Sequence, residues 1–416
     1  MPINHSGRGA HPYYHYQHRH HSQKKRKLPW SLILLIFSAL AFCLYWYIQP
    51  LAPISSKVQA ISAKPAAIIN ITWPTASQAA IGSVDQGVLA IKPKQAAKPT
   101  ASTAKIVTAL AVLQKKPLAI GETGPKITMT QADVDMYNQY FAKDGSVAKV
   151  AVGQQLSEYQ MLQGLLLPSA NNYADSLAIW AFGSLDNYQK AAQKLVDKLG
   201  MENTKIGSDA SGFSPDTISN PEDLTKLAIA AVNNKVVASI IKQDAVNLPI
   251  AGVKQNTNWL LGADGIIGVK TGNTNEADGV YVFASKYKLD KQHSTIIVGA
   301  VQGEPTVISA IHQARLLLNQ ARAQYELTKV VSKGQVISTY VSPWGGKVNA
   351  IASDNLSVAI WRGTDIKPKI VLRDINAPAT QGTVVGKITV GDSSVDIILQ
   401  DNFNEPPAQW RVFRWL

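Results

Sequence analysis

"PTASTAKIVTAL", residues 99–110, sets a serine and a lysine three positions apart among small and apolar side chains. Pro99 and Thr100 supply a helix-start signal, and Ile106, Ala109, Leu110 and Leu113 recur at helical spacing. The stretch reads as the first turns of a largely buried helix with Ser102 and Lys105 on one face. A lysine held in an apolar site loses solvation of its charged form, so its pKa falls from about 10.4 towards neutrality. It can then take the proton of a neighbouring serine hydroxyl. The alternative is a lysine that snorkels to solvent beside a serine that only caps the helix. Spacing alone does not separate the two, because Ser-x-x-Lys recurs at Ser22/Lys25, Ser146/Lys149, Ser239/Lys242 and Ser285/Lys288.

The whole chain narrows the choice. Its 416 residues suffice for two or three domains, and 46% hydrophobic with 17% charged residues suits a globular protein with substantial cores. Six of the basic residues behind the net charge of +13 fall within the first 27 positions, which hold no acid. Taking those six out of +13 leaves +7, an excess suited to an anionic surface or polymer. No basic helix with interleaved aromatics follows, so nucleic acid is not an expected partner.

Residues 28–48, "LPWSLILLIFSALAFCLYWYI", form an uncharged apolar run long enough to cross a bilayer as a helix. Trp30 and Tyr45–Trp46–Tyr47 sit near its ends as interfacial anchors do, and the preceding "KKRK" places the N-terminus in the cytoplasm. The run is longer than a signal-peptide core and lacks a close small-residue cleavage site, which favours an uncleaved anchor. The expected location is therefore the cell membrane, single-pass, with everything after the helix outside. The only cysteine, Cys43, lies inside this run, so the exported part has no disulfide. Residues 1–27 carry six of the eight histidines and read as a flexible polar tail in preference to a metal site. Residues 49–72, rich in Pro, Ala, Ser and Lys, read as a linker.

A globular region over 73–324 follows. "GVLAIKPK" (87–94) reads as a strand, and "LSEYQMLQGLLL" (156–167) as a helix with Ser157 and Gln160 in a capping-box pattern. Asn171–Phe182 and Leu185–Leu199 read as helices, the second closed by Gly200. Three β-rich segments, "GIIGVKT", "GVYVFASK" and "STIIVGAVQ", precede a long amphipathic helix, "PTVISAIHQARLLLNQARAQ". Strands at both ends with helices between indicate an α/β or α+β domain. From Tyr325 to Leu416 short alternating strands with Gly, Pro and Asp turns indicate a small all-β domain.

Two further motifs follow Ser102 and Lys105. "PSANN" holds Ser169 and Asn171, and "GVKTGNT" holds the only Lys-Thr-Gly in the chain, Lys270-Thr271-Gly272. Ser-x-x-Lys, then Ser-x-Asn, then Lys-Thr-Gly is the ordered signature of penicillin-recognising acyl-transfer enzymes. Ser353-Asp354-Asn355 also fits Ser-x-Asn, but it comes after Lys-Thr-Gly and reads as a turn. In the chemistry of this signature Ser102 becomes acylated while Lys105 accepts its proton. Ser169 passes that proton towards the leaving nitrogen, and Asn171 binds the substrate amide and orients Lys105. Lys270 and Thr271 receive a substrate carboxylate, and Gly272 lets the strand edge approach the ligand. The backbone N–H groups of Ser102 and Asn273 form the oxyanion hole.

With "KLGMENTKI", "NTNWLLGADGIIGVKTGNT" and "IIVGAVQG", the region from Ala79 to Gln324 resembles the D-alanyl-D-alanine carboxypeptidases among the low-molecular-mass penicillin-binding proteins. The terminal region resembles the β-rich domain that follows in many members. The resemblance implies an antiparallel sheet covered by helices and removal of the terminal D-alanine from peptidoglycan stem pentapeptides. It also implies covalent inhibition by β-lactams, with neither metal nor cofactor. A D,D-endopeptidase acting on cross-links is the alternative, ahead of a β-lactamase or an inactive wall-binding protein. Glu202 and Glu222 do not stand in the Glu-x-x-Leu-Asn segment that a class A β-lactamase uses. Two departures stand out: Asn172 where members often have Asp, and an N-terminal anchor where members use a C-terminal amphipathic helix.

Overall fold

The computed structural model describes residues 29–61, 63 and 66–415. The histidine-rich tail, the basic "KKRK" and Leu28 lie outside the described residues. The first helix, α1 (Trp30–Ile48), has no residue buried in the protein. Its 19 residues reach about 28 Å at ~1.5 Å per residue, close to the hydrocarbon thickness of a bilayer.

After α1 come three strands, β1 (Ser56–Val58), β2 (Gln78–Ser83) and β3 (Gly87–Ile91). A helical middle follows: α2 (Lys105–Lys115), α3 (Gln131–Phe141), α4 (Glu158–Leu166), α5 (Asn171–Phe182), α6 (Leu185–Lys198), α7 (Pro221–Asn233) and α8 (Lys235–Ile240). Then β4 (Ile266–Thr274), β5 (Asp278–Lys288), β6 (Ser294–Glu304) and α9 (Val307–Ala323) complete this part of the chain. The sheet is antiparallel throughout, in the order β4-β5-β6-β2-β3.

Both faces of this sheet are covered, and the strand period of two sorts the side chains between them. Val280, Val282 and Ala284 of β5 face the core shared with α2 and α4 to α7, while Tyr281 and Phe283 face α9. Leu317 and Leu318 of α9, each 1% exposed, seal that second face. Full burial of a leucine stabilises by about 1.5–3 kcal/mol, so this pair alone holds α9 firmly. Helix starts follow local chemistry. Ser157 and Gln160 cap α4 reciprocally, Asn220 caps α7 ahead of Pro221, and Thr306 caps α9. Helix α6 ends before Gly200, whose φ is +69°.

The last part contains β7 (Tyr325–Val331), β8 (Val336–Val341), β9 (Lys347–Ala352), β10 (Leu356–Trp361), β11 (Lys369–Leu372), β12 (Val384–Val390) and β13 (Ser393–Leu399). A second antiparallel sheet runs β1-β8-β9-β13-β12-β11, while β7 pairs with β10. Ile337, Tyr340, Ala350, Val385, Ile388, Ile397 and Leu399 form its separate apolar core. Ser353–Asp354–Asn355 lies in the turn between β9 and β10, as the sequence indicates.

The structure corrects three expectations. Residues 49–72 are not a plain linker. Ser56–Val58 add a strand to the edge of β8, and Ile54 is buried in the β core. The backbone N–H groups of Ala66, Ile69 and Thr72 donate to Glu326, Gln324 and Gln320 at 2.7, 3.0 and 2.6 Å. Three residues suffice for edge pairing, which is too short for a periodicity signal. Next, Pro99 does not start a helix: Lys98–Pro99 pairs with Ile218–Ser219, and the helical turn begins at Ala101. Finally, the β-rich part ends in a short helix, α10 (Ala408–Phe413), that lies against α1.

Candidate active site

Ser102 sits in a 3-10 turn, Ala101–Ala104, that runs directly into α2. Thr103 Oγ1 donates to the Thr100 carbonyl at 2.7 Å and tightens the turn. Every residue from Lys105 to Leu113 is buried, so the lysine is carried into the core by the packing of its own helix. Lys105 Nζ contacts Ser102 Oγ at 2.8 Å. The competing lysines of the Ser-x-x-Lys pattern, Lys149, Lys242 and Lys288, are exposed, and Ser22/Lys25 lies outside the described residues.

Three oxygens surround Lys105 Nζ: Ser102 Oγ, Asn171 Oδ1 at 2.6 Å and the Ser211 carbonyl at 2.9 Å. Burial pushes its pKa down to about 7, against the raising influence of Asp209 and Asp175. A neutral amine has two N–H donors and one lone pair. Asn171 Oδ1 and the Ser211 carbonyl can only accept, so they take both N–H groups. The lone pair is left aimed at the Ser102 hydroxyl, as a general base requires.

The loop behind Lys105 was not singled out from the sequence. Asp209 Oδ1 accepts from the N–H groups of Ser211 and Gly212, each at 2.6 Å, and from Ser211 Oγ at 2.7 Å. Its Oδ2 accepts from the Ser214 N–H at 2.7 Å. One carboxylate thus fixes the loop that presents the Ser211 carbonyl. Asp175 accepts from Tyr140 Oη at 2.6 Å and the Ala210 N–H at 2.8 Å. Burial raises the Asp175 carboxyl to about 6, and burial with the nearby carboxylates raises the Tyr140 phenol. "SDASG" (208–212) holds a weak turn signal for Asp209, whereas Tyr140 and Asp175 come together only through tertiary packing.

Asn171 opens α5, and its backbone N–H donates to the Ser146 carbonyl at 2.8 Å. Ser169 is 4% exposed and holds a left-handed φ of +67°, a strained conformation for a serine. Its hydroxyl makes no hydrogen bond among the described residues, so the structure does not join it to Lys105 or Ser102. Asn172 is structural: its side chain accepts from the Ala148 N–H at 3.1 Å and donates to the Ala148 carbonyl at 2.9 Å. An ionised aspartate there could accept but not donate.

Lys270, Thr271, Gly272 and Asn273 lie on β4, the edge strand of the sheet. Lys270 is 1% exposed and donates to Thr257 Oγ1 at 3.3 Å and the Thr271 carbonyl at 3.1 Å. Burial, then repulsion from Lys105, holds its pKa well below the usual lysine range. Thr271 Oγ1 and Thr257 Oγ1 share a hydrogen bond of 2.8 Å. A Cβ on Gly272 would stand 3.0 Å from the Ala101 Cβ and 3.1 Å from the Ser102 nitrogen. Glycine therefore lets the strand edge close onto the serine turn.

Sequence comparison decides the family. The profile described as D-alanyl-D-alanine carboxypeptidase matches residues 74–301, more than half of the chain. The chain belongs to the D-alanyl-D-alanine carboxypeptidase family. The family's companion profile, described as the penicillin-binding protein 5 C-terminal domain, matches residues 325–400. The D-alanyl-D-alanine carboxypeptidase of Streptomyces sp. strain K15 is 28% identical over 270 residues, covering 60% of this chain and 88% of that protein. A crystal structure of the Streptomyces K15 DD-transpeptidase superposes with a TM-score of 0.53 at 27% identity, covering 60% of this chain and 98% of that one. Penicillin-binding protein 5 from Haemophilus influenzae shares the fold over 81% of this carboxypeptidase-family chain and all of its own, with a TM-score of 0.58 at 20% identity. The D-alanyl-D-alanine endopeptidase of Escherichia coli is 31% identical over 191 residues, covering 43% of this chain and 57% of that protein.

Proposed function

We propose that this protein is a serine D-Ala-D-Ala carboxypeptidase that removes the terminal D-alanine from peptidoglycan stem peptides through an acyl-enzyme on Ser102. Supporting this reading above all is the hydrogen-bond set of Lys105, which leaves a lone pair for the Ser102 proton. The substrate carboxylate meets Lys270 and Thr271, and the scissile carbonyl oxygen points at the backbone N–H groups of Ser102 and Asn273. Ser102 Oγ attacks the carbonyl carbon while its proton moves to Lys105 Nζ. The resulting oxyanion is stabilised by the two N–H groups.

Collapse breaks the peptide C–N bond. The leaving nitrogen takes a proton from Lys105, relayed by the Ser169 hydroxyl, and D-alanine departs. Water then attacks the ester, gives its proton to Lys105 and frees Ser102. A β-lactam enters the same sequence through its strained amide and stays attached as the ester, which makes this class of compound the expected inhibitor.

The helix α1 serves as the membrane anchor in this reading, with the N-terminus cytoplasmic and both folded parts outside, next to the wall. Purified protein given a pentapeptide ending in D-Ala-D-Ala should release D-alanine, and labelled penicillin should map to Ser102. Release of D-alanine by a Ser102→Ala variant would refute the assignment.

A further inference from the structure

Lys105 owes its free lone pair to two acceptors on different elements: Asn171 at the start of α5 and the Ser211 carbonyl in the loop that Asp209 holds. Their spacing has to be kept, because an acceptor that moves away frees an N–H to turn towards Ser102 in place of the lone pair. One side chain spans the two. Asp175 lies one helical turn after Asn171 on α5, and its Oδ1 accepts at 2.8 Å from the N–H of Ala210, the residue before Ser211. Oδ2 of the same carboxylate accepts from Tyr140 Oη at 2.6 Å.

Tyr140 extends the tie to a third element. It stands near the end of α3, which is also pinned to α5 where Ser176 Oγ donates to Asp133 Oδ1 at 2.5 Å. The Tyr140 carbonyl accepts from the Gly145 N–H at 2.8 Å, and the next residue, Ser146, receives the Asn171 N–H. The Tyr140 ring stands edge-on to Phe213 at 5.5 Å, in the loop that carries Ser211. Tyr140 therefore meets the Asn171 side and the Ser211 side of the base at once.

An acid at this position is informative. Asp175 is buried, and burial pushes its carboxyl up to about 6. An asparagine could serve the same partners, accepting from the Ala210 N–H and donating to Tyr140 Oη, so hydrogen bonding alone does not call for a charge. What the carboxylate adds is a field that favours the charged form of Lys105. The other titratable groups around this amine are Asp209 on the loop, Tyr140 from α3, Tyr188 from α6 through Thr108, and Lys270 on β4.

We propose that Asp175, held by Tyr140, is a positioning residue for the general base, keeping Asn171 and the Ser211 carbonyl in the register that aims Lys105 at Ser102. Its charge is a second, separable contribution. The proposal rests on the acyl-enzyme reading of Ser102.

Full-length protein in detergent is mixed with labelled penicillin over a range of pH. Saturation kinetics separate the acylation rate constant from the dissociation constant of the non-covalent complex. Rate constants are read per molecule that labels, so any loss of folded protein cancels. Asp175→Ala should lower the rate constant at the high-pH plateau by about 10- to 100-fold, as misplacement of a catalytic group does, and leave the dissociation constant within about three-fold. Tyr140→Phe, which keeps the ring against Phe213, should lower it by about three- to ten-fold, and it tests the same tie should Asp175→Ala yield no folded protein. Asp175→Asn keeps the hydrogen bonds and loses the charge. Its plateau should stay within about three-fold of wild type, while the midpoint moves to lower pH by about 0.5–1 unit, since removing a negative charge favours the neutral amine. A merely structural role would leave fewer molecules to label, each with the wild-type rate constant and midpoint. That result in Asp175→Ala or Tyr140→Phe would overturn the proposal, and an unmoved midpoint in Asp175→Asn would remove the contribution of charge. Wild type that takes no label is a different failure, that of the acyl-enzyme reading, and takes this proposal with it.

Discussion

The two folded parts of this carboxypeptidase-family chain differ in what they bury. Between residues 73 and 324 the core encloses Lys105, Glu158, Asp175, Asp209, Asp223, Lys270 and Glu304. Among the described residues from 325 onward, no lysine, arginine, aspartate or glutamate is buried, and the buried polar side chains are Ser338 and Ser342. Taking a charge out of water costs several kcal/mol even after relaxation, so such groups stand only where packing and hydrogen bonds hold them. Asp223 and Glu304 are satisfied locally by Thr204 and Ser77. Lys105 and Lys270 are different, since burial shifts both away from the charged form. The costs of burying charge fall in one part of the molecule, while the core of the other is almost wholly apolar.

The largest effect that follows is at the serine–lysine pair. Ser102→Ala and Lys105→Ala should each reduce acylation by penicillin on the order of 10⁴-fold or more, as for nucleophile and base variants in other serine hydrolases. Substitution of the exposed Lys149, Lys242 or Lys288 should leave it within about two-fold. Loss of labelling in one of those three, with folding intact by circular dichroism, would break the contrast between buried and exposed lysines.

A smaller effect concerns pH. The base must be neutral, and Lys105 titrates at about 7, so the acylation rate should rise with pH through a midpoint near that value. Asp209 and Asp175 favour the charged amine. Asp209→Asn removes one of these influences, so the midpoint should move to lower pH. The plateau should also drop, because the loop presenting the Ser211 carbonyl loses its carboxylate. A merely structural role for Asp209 would lower the plateau without moving the midpoint.

Lys270 sharpens the comparison through stability. Among the described residues its amino group has two long hydrogen bonds, no facing carboxylate, and Lys105 as a repelling neighbour. Lys270→Met keeps the stem and removes the desolvation cost. The variant should be more stable by about 0.5–2 kcal/mol in chemical denaturation, while kcat/KM for a D-Ala-D-Ala peptide falls by about 10- to 100-fold. A destabilised Lys270→Met variant would mean that the buried lysine contributes to folding and not only to binding the carboxylate.

Much of this architecture was legible in the sequence, for identifiable reasons. Apolar alternation on β5 and β6, the capping box at Ser157 and the break at Gly200 are local signals, and the elements stand where those signals lie. The order of Ser102, Asn171 and Lys270 pointed to one site, and the structure joins Ser102, Lys105 and Asn171 by hydrogen bonds. Asp175 and Tyr140, 35 residues apart, carry no local mark of their pairing. Strand β1 adds to a sheet whose next strand begins at Val336, and nothing in its own composition announces that partner. Tertiary pairing of short or polar segments is where sequence periodicity carries no information.

The smallest effect lies where the packed region meets α1. A helix end leaves its last carbonyls without partners, and beside hydrocarbon that is costly. Here the terminal helix α10 supplies them: Arg414 Nη2 donates to the carbonyls of Trp46 at 2.9 Å and Gln49 at 2.7 Å, and Arg411 Nη1 to that of Tyr47 at 3.4 Å. Trp415 stands edge-on to Phe42 at 5.3 Å, while Trp410 stands edge-on to Trp344 at 5.2 Å, which packs on the buried Phe403. The tail thus joins α1 to the β core, besides exposing Phe413 to the surroundings. Retention in the membrane should come from α1 and rigidity from α10. Deleting residues 1–48 should release most of the protein into the soluble fraction at high salt, whereas deleting 409–416 should not. Arg414→Ala should leave retention and penicillin labelling unchanged and raise the rate of limited proteolysis at residues 49–55 by about two- to five-fold, as expected for losing one end-capping side chain. If the protein without residues 1–48 stays bound at high salt, α10 anchors in its own right, and the division of labour between the two ends of the chain is the reverse.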